Sequence, residues 1–147
     1  MDKTQATYSL ARNASLALAT LALCACAGMG GSGTAAGLKL SGDQEVPPVT
    51  TTATGNSTIA IAADGAVTGA VTTTGVDGTM AHIHTGAAGT NGPVIVPLTK
   101  TADGVWSVPP GAKLSPEQLA AFKAGTLYVN VHSAANKGGE IRAQLAP

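Results

Sequence analysis

Apolar and polar residues alternate along much of this chain with the period of two that a half-buried strand requires. Leu38-Lys39-Leu40-Ser41-Gly42 opens the pattern, and Gly55-Asn56-Ser57-Thr58-Ile59-Ala60-Ile61-Ala62 repeats it. Asp64-Gly65 is a turn pair, after which Val67-Thr68-Gly69-Ala70-Val71-Thr72-Thr73-Thr74 resumes extended structure, so residues 55–74 read as a hairpin. Further strands are predicted around 81–84, at 93–98 and at 105–108, with a turn at Asp103-Gly104. Pro93 and Pro97 bound the second of these and place it at a sheet edge or its prolines at strand ends. Residues 127–131 and 140–145 supply the last two strands, joined by the turn Asn136-Lys137-Gly138-Gly139.

One segment departs from this period. Residues 114–125 place Ser115 at a helix N-cap, Pro116 at the first helical position, Gln118 where a capping box needs a Glu or Gln, and Gly125 past the end. Leu119 and Phe122, three apart, give this short helix one docking face. Many strands at short spacing with a single helix predict an all-β domain: an antiparallel Greek-key β-sandwich or flattened barrel with one short connecting helix.

The front of the chain has a different character. Lys3 and Arg12 precede an uncharged run at 14–23, and Leu23-Cys24-Ala25-Cys26 follows. A positive segment, a short apolar segment and small residues read as a secretory signal over residues 1–27, too short to span a bilayer permanently. Its end resembles a bacterial lipobox with Cys26 as the lipidated residue; cleavage after Ala27 is the alternative. Residues 28–37 form a Gly-rich tether, and the domain runs over 38–147. The chain is therefore expected to be exported to the periplasm or cell surface, as an outer-membrane-anchored lipoprotein that touches the membrane only through its N-terminal lipid.

Both cysteines of the chain, Cys24 and Cys26, fall in that leader, so the domain has neither a disulfide framework nor a thiolate metal site. With 11 % charged residues and a net charge of +0, no basic face exists to attract nucleic acid. No Ser-His-Asp set, P-loop or dinucleotide fingerprint is visible. The chemistry concentrates instead in three histidines. In Met80-Ala81-His82-Ile83-His84 the two imidazoles share a strand face while Ile83 points the other way; in Tyr128-Val129-Asn130-Val131-His132 the valines fill a core face and His132 lies opposite them. If the two strands are neighbours, His82, His84 and His132 converge.

An imidazole set favours copper, with zinc as the alternative, over calcium or magnesium. Three protein ligands leave a position open for exchange of the metal with a protein partner, or for chemistry on a small molecule. Met80 shares the histidine face as a possible axial ligand, and Glu140 and Arg142 are candidates to orient the imidazoles. Because binding needs neutral imidazoles, affinity is expected to fall as pH drops through about 6.5. The competing reading is that the imidazoles hydrogen-bond the Gly-rich loops and fix their shape.

The order of these motifs resembles the CHRD domain family. The likeness covers Leu40 to Leu145 through Leu40-Ser41-Gly42-Asp43-Gln44-Glu45-Val46-Pro47-Pro48, the run from Ala81-His82-Ile83-His84-Thr85-Gly86 to Gly92-Pro93-Val94, Leu127-Tyr128-Val129-Asn130-Val131-His132, and Gly139-Glu140-Ile141-Arg142-Ala143-Gln144-Leu145. Ala143 stands where the family pattern usually has glycine. The family resemblance implies a sandwich domain without a settled activity. A second likeness, to copper/zinc superoxide dismutases, rests on His82-Ile83-His84, on Val131-His132 with the later Lys137-Gly138-Gly139, and on Arg142, which is similar to an arginine that guides an anion. The chain lacks the bridging histidine, the zinc histidines and the cysteine pair of those enzymes. A mononuclear copper site for binding, storage or delivery is the expectation. A copper-dependent, dismutase-like oxidoreductase and a metal-free adhesion or matrix module are the alternatives.

Overall fold

The computed structural model describes residues 37–147. The expected signal, lipidation site and most of the tether lie outside the described residues. In chain order the elements are β1 (Leu38–Leu40), a 3-10 turn (Gly42–Gln44), β2 (Thr54–Ser57), β3 (Ala60–Ile61), β4 (Val67–Thr68), β5 (Ala70–Thr74), β6 (Gly78–Thr85), β7 (Val94–Pro97), β8 (Thr99–Ala102), β9 (Val105–Ser107), α1 (Pro116–Lys123), β10 (Leu127–Ser133) and β11 (Ile141–Leu145).

These strands form two main antiparallel sheets, ordered β1-β2-β5-β9-β8 and β11-β10-β6-β7, with β3-β4 as a short extra pair. Neither sheet closes on itself, so of the two expected architectures the sandwich is the one present. The hairpin at 55–74 is there in a single register, Ser57 facing Val71 and Ala60 facing Thr68, interrupted around Gly69. The prolines flanking β7 sit on the outermost strand of the second sheet, where a missing ladder donor is harmless. Strand β8 carries no sequence signal, because all four of its residues are exposed and no face of it is apolar. It forms through pairing with β9, where Thr99 faces Ser107.

Helix α1 begins as its sequence requires. Ser115 Oγ accepts from the Gln118 amide and the Gln118 side chain accepts from the Ser115 amide, completing the capping box. Gly125, at φ +70°, ends it. Leu119 and Phe122 pack partly buried on the core, and the helix carries the chain from β9 in one sheet to β10 in the other.

The core lies between the sheets. Ala81 and Ile83 of β6, Leu127, Val129 and Val131 of β10, and Ile141, Ala143 and Leu145 of β11 meet Leu40, Val71 and Trp106 from the other sheet. Full burial of each such aliphatic side chain contributes roughly 1.5–3 kcal/mol. This parity sends His82, His84, Tyr128, Asn130, His132, Arg142 and Gln144 to the opposite face, as alternation requires. Along β10 that face is not solvated: every residue of the strand is buried. Loops roof it.

Candidate metal centre

Register assembles the outer face into rows. Pairing of β6 with β10 and of β10 with β11 aligns His82 with Asn130 and Arg142, His84 with Tyr128 and Gln144, and Met80 with His132. His82 and His132 sit on adjacent strands one row apart, so their rings approach: centroids lie 4.9 Å apart for His82–His132, 5.5 Å for His82–His84 and 6.0 Å for His84–His132. One ring nitrogen from each can be chosen so that all lie within 4.8 Å of one another.

The roofing loops fix which nitrogens these are. His84 Nδ1 lies 2.9 Å from the Gly92 carbonyl and His132 Nδ1 lies 2.9 Å from the Lys137 carbonyl. A carbonyl only accepts, so each Nδ1 is the protonated nitrogen and each Nε2 carries the free lone pair. His82 Nδ1 lies 3.0 Å from His132 Nε2 and donates to it, so His82 has to carry its proton on Nε2 instead for Nδ1 to serve as a ligand. His84 Nε2 is buried and has no hydrogen-bond partner. A histidine that donates one N–H to a backbone carbonyl and offers the other nitrogen is the arrangement of metal-ligating imidazoles. Nitrogens at about 2.0–2.1 Å from a shared ion lie 3–4 Å apart, so closing on one requires shifts of about an ångström.

Burial keeps the three rings neutral. It lowers His82 to about 4, with the neighbouring His132 and His84 adding to the effect. Burial also lowers His84 and His132, opposed in each by the backbone carbonyl that accepts from the ring. The proton competition expected near 6.5 is thereby displaced to more acid pH, and the imidazoles are in the form a metal needs at neutrality.

A stack supports this centre from one side. His84 lies parallel on Tyr128, centroids 4.7 Å apart, and the Arg142 guanidinium covers the other face of the phenol system at 3.4 Å. Arg142, 1 % exposed, donates to the carbonyls of Ala87 and Thr90 and to the side-chain oxygens of Asn91 and Gln144. It clamps the 86–92 loop whose Gly92 carbonyl orients His84. With these donors engaged it is a structural clamp, in contrast to the anion guide that the dismutase likeness implied. Gly92 has to be glycine, because a Cβ there would run into the Thr85 carbonyl.

The other candidates fall differently. Met80 faces His132 across the strands but is 48 % exposed. Glu140 accepts from Thr51 Oγ1 at 2.7 Å, and the groups that lower its pKa are Ser133, Thr51 and Asn136, with no imidazole among them. Two residues carry more weight here than their sequence context indicated. Asn130, 1 % exposed, holds the centre of the face with its Oδ1 unpartnered, and Glu45, 4 % exposed, brings an unpartnered Oε1 beneath the loops. Asn130 shares strand parity with His132, a signal the sequence did contain; nothing local marks Glu45 as buried.

Two open antiparallel sheets with a loop-roofed polar face define a β-sandwich whose chemistry sits outside the core. The CHRD domain model matches residues 37–145, and the chain belongs to that family. Comparison with curated proteins and with solved structures gives no match.

Proposed function

We propose that this protein binds a single copper ion through His82 Nδ1, His84 Nε2 and His132 Nε2, and that it serves copper binding, storage or delivery outside the cytoplasm. The observation that carries the reading is the convergence of three neutral imidazoles within 4.8 Å, two of them with Nδ1 held by a backbone carbonyl. Nitrogen donors without thiolates suit copper first and zinc second. Three ligands leave a coordination position for handover to a protein partner.

Export and anchoring rest on residues 1–27, with Cys26 as the acylated residue. Among the described residues no helix is long and apolar enough to cross a membrane.

Titration of the purified chain with Cu(II), and with Cu(I) under reducing conditions, tests the reading. The Cys24→Ser, Cys26→Ser background removes thiol binding. One equivalent is expected, abolished in the His82→Ala, His84→Ala, His132→Ala variant. Equal binding by that variant contradicts the assignment. Absence of binding by the parent favours the metal-free module, in which the same hydrogen bonds from His84 and His132 serve only to hold the loops.

A further inference from the structure

Three neutral imidazoles bring no negative charge to a bound divalent cation, and Arg142, which stacks into the same face, is itself a cation. A buried excess of positive charge is costly unless a carboxylate lies close. The described residues include two buried carboxyl groups, Glu45 and Glu140. Glu140 is committed to Thr51. Glu45 keeps one carboxyl oxygen free: its Oε1 is buried without a hydrogen-bond partner.

Its position follows from the local chain. The 3-10 turn at Gly42–Gln44 ends with the Glu45 amide donating to the Gly42 carbonyl at 3.1 Å, and the next residues pass under the 86–92 loop, where Asn91 Nδ2 donates to the Val46 carbonyl at 2.7 Å. The Glu45 side chain is turned inward against Gly139, where φ is +139°. A Cβ on Gly139 would strike the Glu45 carboxyl and approach Asn130 Nδ2 to 2.6 Å, so carboxyl and carboxamide occupy one small space. Asn130 is aligned with His82 on one side and Arg142 on the other.

We propose that Glu45 is the internal counter-charge of the imidazole centre: protonated in the metal-free protein, it releases its proton to solvent when a divalent cation binds. The O–H bond breaks, the carboxylate keeps the electron pair, and the added negative charge offsets part of the cation's. This rests on the metal reading above and adds a proton-exchange step to it. Burial raises Glu45 to about 7, against the charge of Arg142 and hydrogen bonding from Asn130 and Val46, which lower it. Of the charged and titratable groups on the elements around it, Arg142 of β11 acts on it directly; His82 and His84 of β6 and Tyr128 and His132 of β10 share the face, while Asp43 and Lys137 are exposed.

Calorimetric titration with Zn2+, a redox-inert probe, in buffers of differing ionisation enthalpy counts the protons released. It is run on the full chain in the Cys24→Ser, Cys26→Ser background. At pH 6.5 the parent should release about half a proton more per ion than Glu45→Gln, the amount that a fall of one unit from about 7 gives, and this difference should all but vanish by pH 8. At pH 8 Glu45→Gln should bind Zn2+ about tenfold more weakly, the equivalent of one pKa unit of coupling. Its metal-free form should meanwhile melt higher, since no charge is left to bury. A merely structural carboxyl would lose affinity and stability together. Glu45→Asp, which can still ionise, should keep the proton release. Equal proton release from parent and Glu45→Gln overturns the proposal while leaving the metal centre intact; absence of both Zn2+ binding here and copper binding in the titration above overturns both.

Discussion

The two faces of the sheet β11-β10-β6-β7 are both buried, and they are buried by different physics. The inner face meets the other sheet with Ile83, Val129, Val131, Ile141 and Ala143, all 0 % exposed. Its contribution is non-directional and tolerant of small rearrangement. Along β10 and β11 the outer face is covered by loops and is polar, whereas Met80 and Val94 beyond the loops are exposed, so almost every group beneath the loops needs a specific partner. Arg142, Tyr128, Gln144 and the Nδ1 atoms of His84 and His132 have theirs. His84 Nε2, Asn130 Oδ1 and Glu45 Oε1 do not; Asn130 is aligned with His82 across the strands, and the Glu45 carboxyl shares the space at Gly139 with the Asn130 carboxamide. Stability is spread over one face, and chemical capacity is concentrated in what the other leaves unpaired.

Substitutions on the two faces should therefore separate stability from binding. Ile83→Ala, on the inner face, should cost about 2–5 kcal/mol in denaturant unfolding, while those molecules that remain folded bind copper normally. Arg142→Met should cost about 2–3 kcal/mol, because its loss leaves loop carbonyls buried without donors. It should also weaken copper binding by loosening the loop that orients His84, which a competition titration would detect. His132→Ala should abolish copper binding at a cost of only about 1–2 kcal/mol, the expected effect of leaving the Lys137 carbonyl unpaired. Lys100→Ala on the exposed strand β8 should change stability by under about 0.5 kcal/mol and leave copper binding alone.

The pH response sharpens the contrast, since His82, His84, His132 and Glu45 sit on or beneath the outer face. The folded-state pKa values of His82, His84 and His132 lie below their ordinary 6.5, so below that pH the unfolded chain binds more protons than the folded one. Their contribution to stability is complete above 6.5 and is lost as the pH falls, for His82 toward about 4. Glu45 acts in the opposite sense. Raised from 4.5 to about 7, it favours the folded state when protonated, and this contribution is lost as the pH rises through that interval. Melting of the metal-free chain across pH 4 to 8 should show both limbs, with the acid limb shallower in His82→Gln and the alkaline limb absent in Glu45→Gln.

Alternation was enough to read which side chains share a face. Together with the capping residues at 115–125 and the prolines at 93 and 97, it predicts the hairpin, the histidine strand, the helix and the edge position of β7, because each of these is encoded within a few neighbouring residues. It could not show what lies over a face. Tyr128, Asn130 and His132 read simply as outward-facing, and their burial comes from loops at 43–48, 86–92 and 134–140, which are distant in sequence. The three-histidine convergence was conditional on β6 pairing with β10, a long-range register that the alternating pattern does not specify. Glu45 is harder still, since a carboxylate before two prolines looks like any solvated loop residue until Gly139 and Asn130 are seen to receive it.

The position of a single bound ion is the central expectation. An anomalous difference map from crystals of the copper-loaded chain, recorded at the copper edge, locates it directly. One strong peak is expected about 2.0–2.1 Å from His82 Nδ1, His84 Nε2 and His132 Nε2. A peak at another set of side chains, or none at this centre with copper in excess, would contradict it.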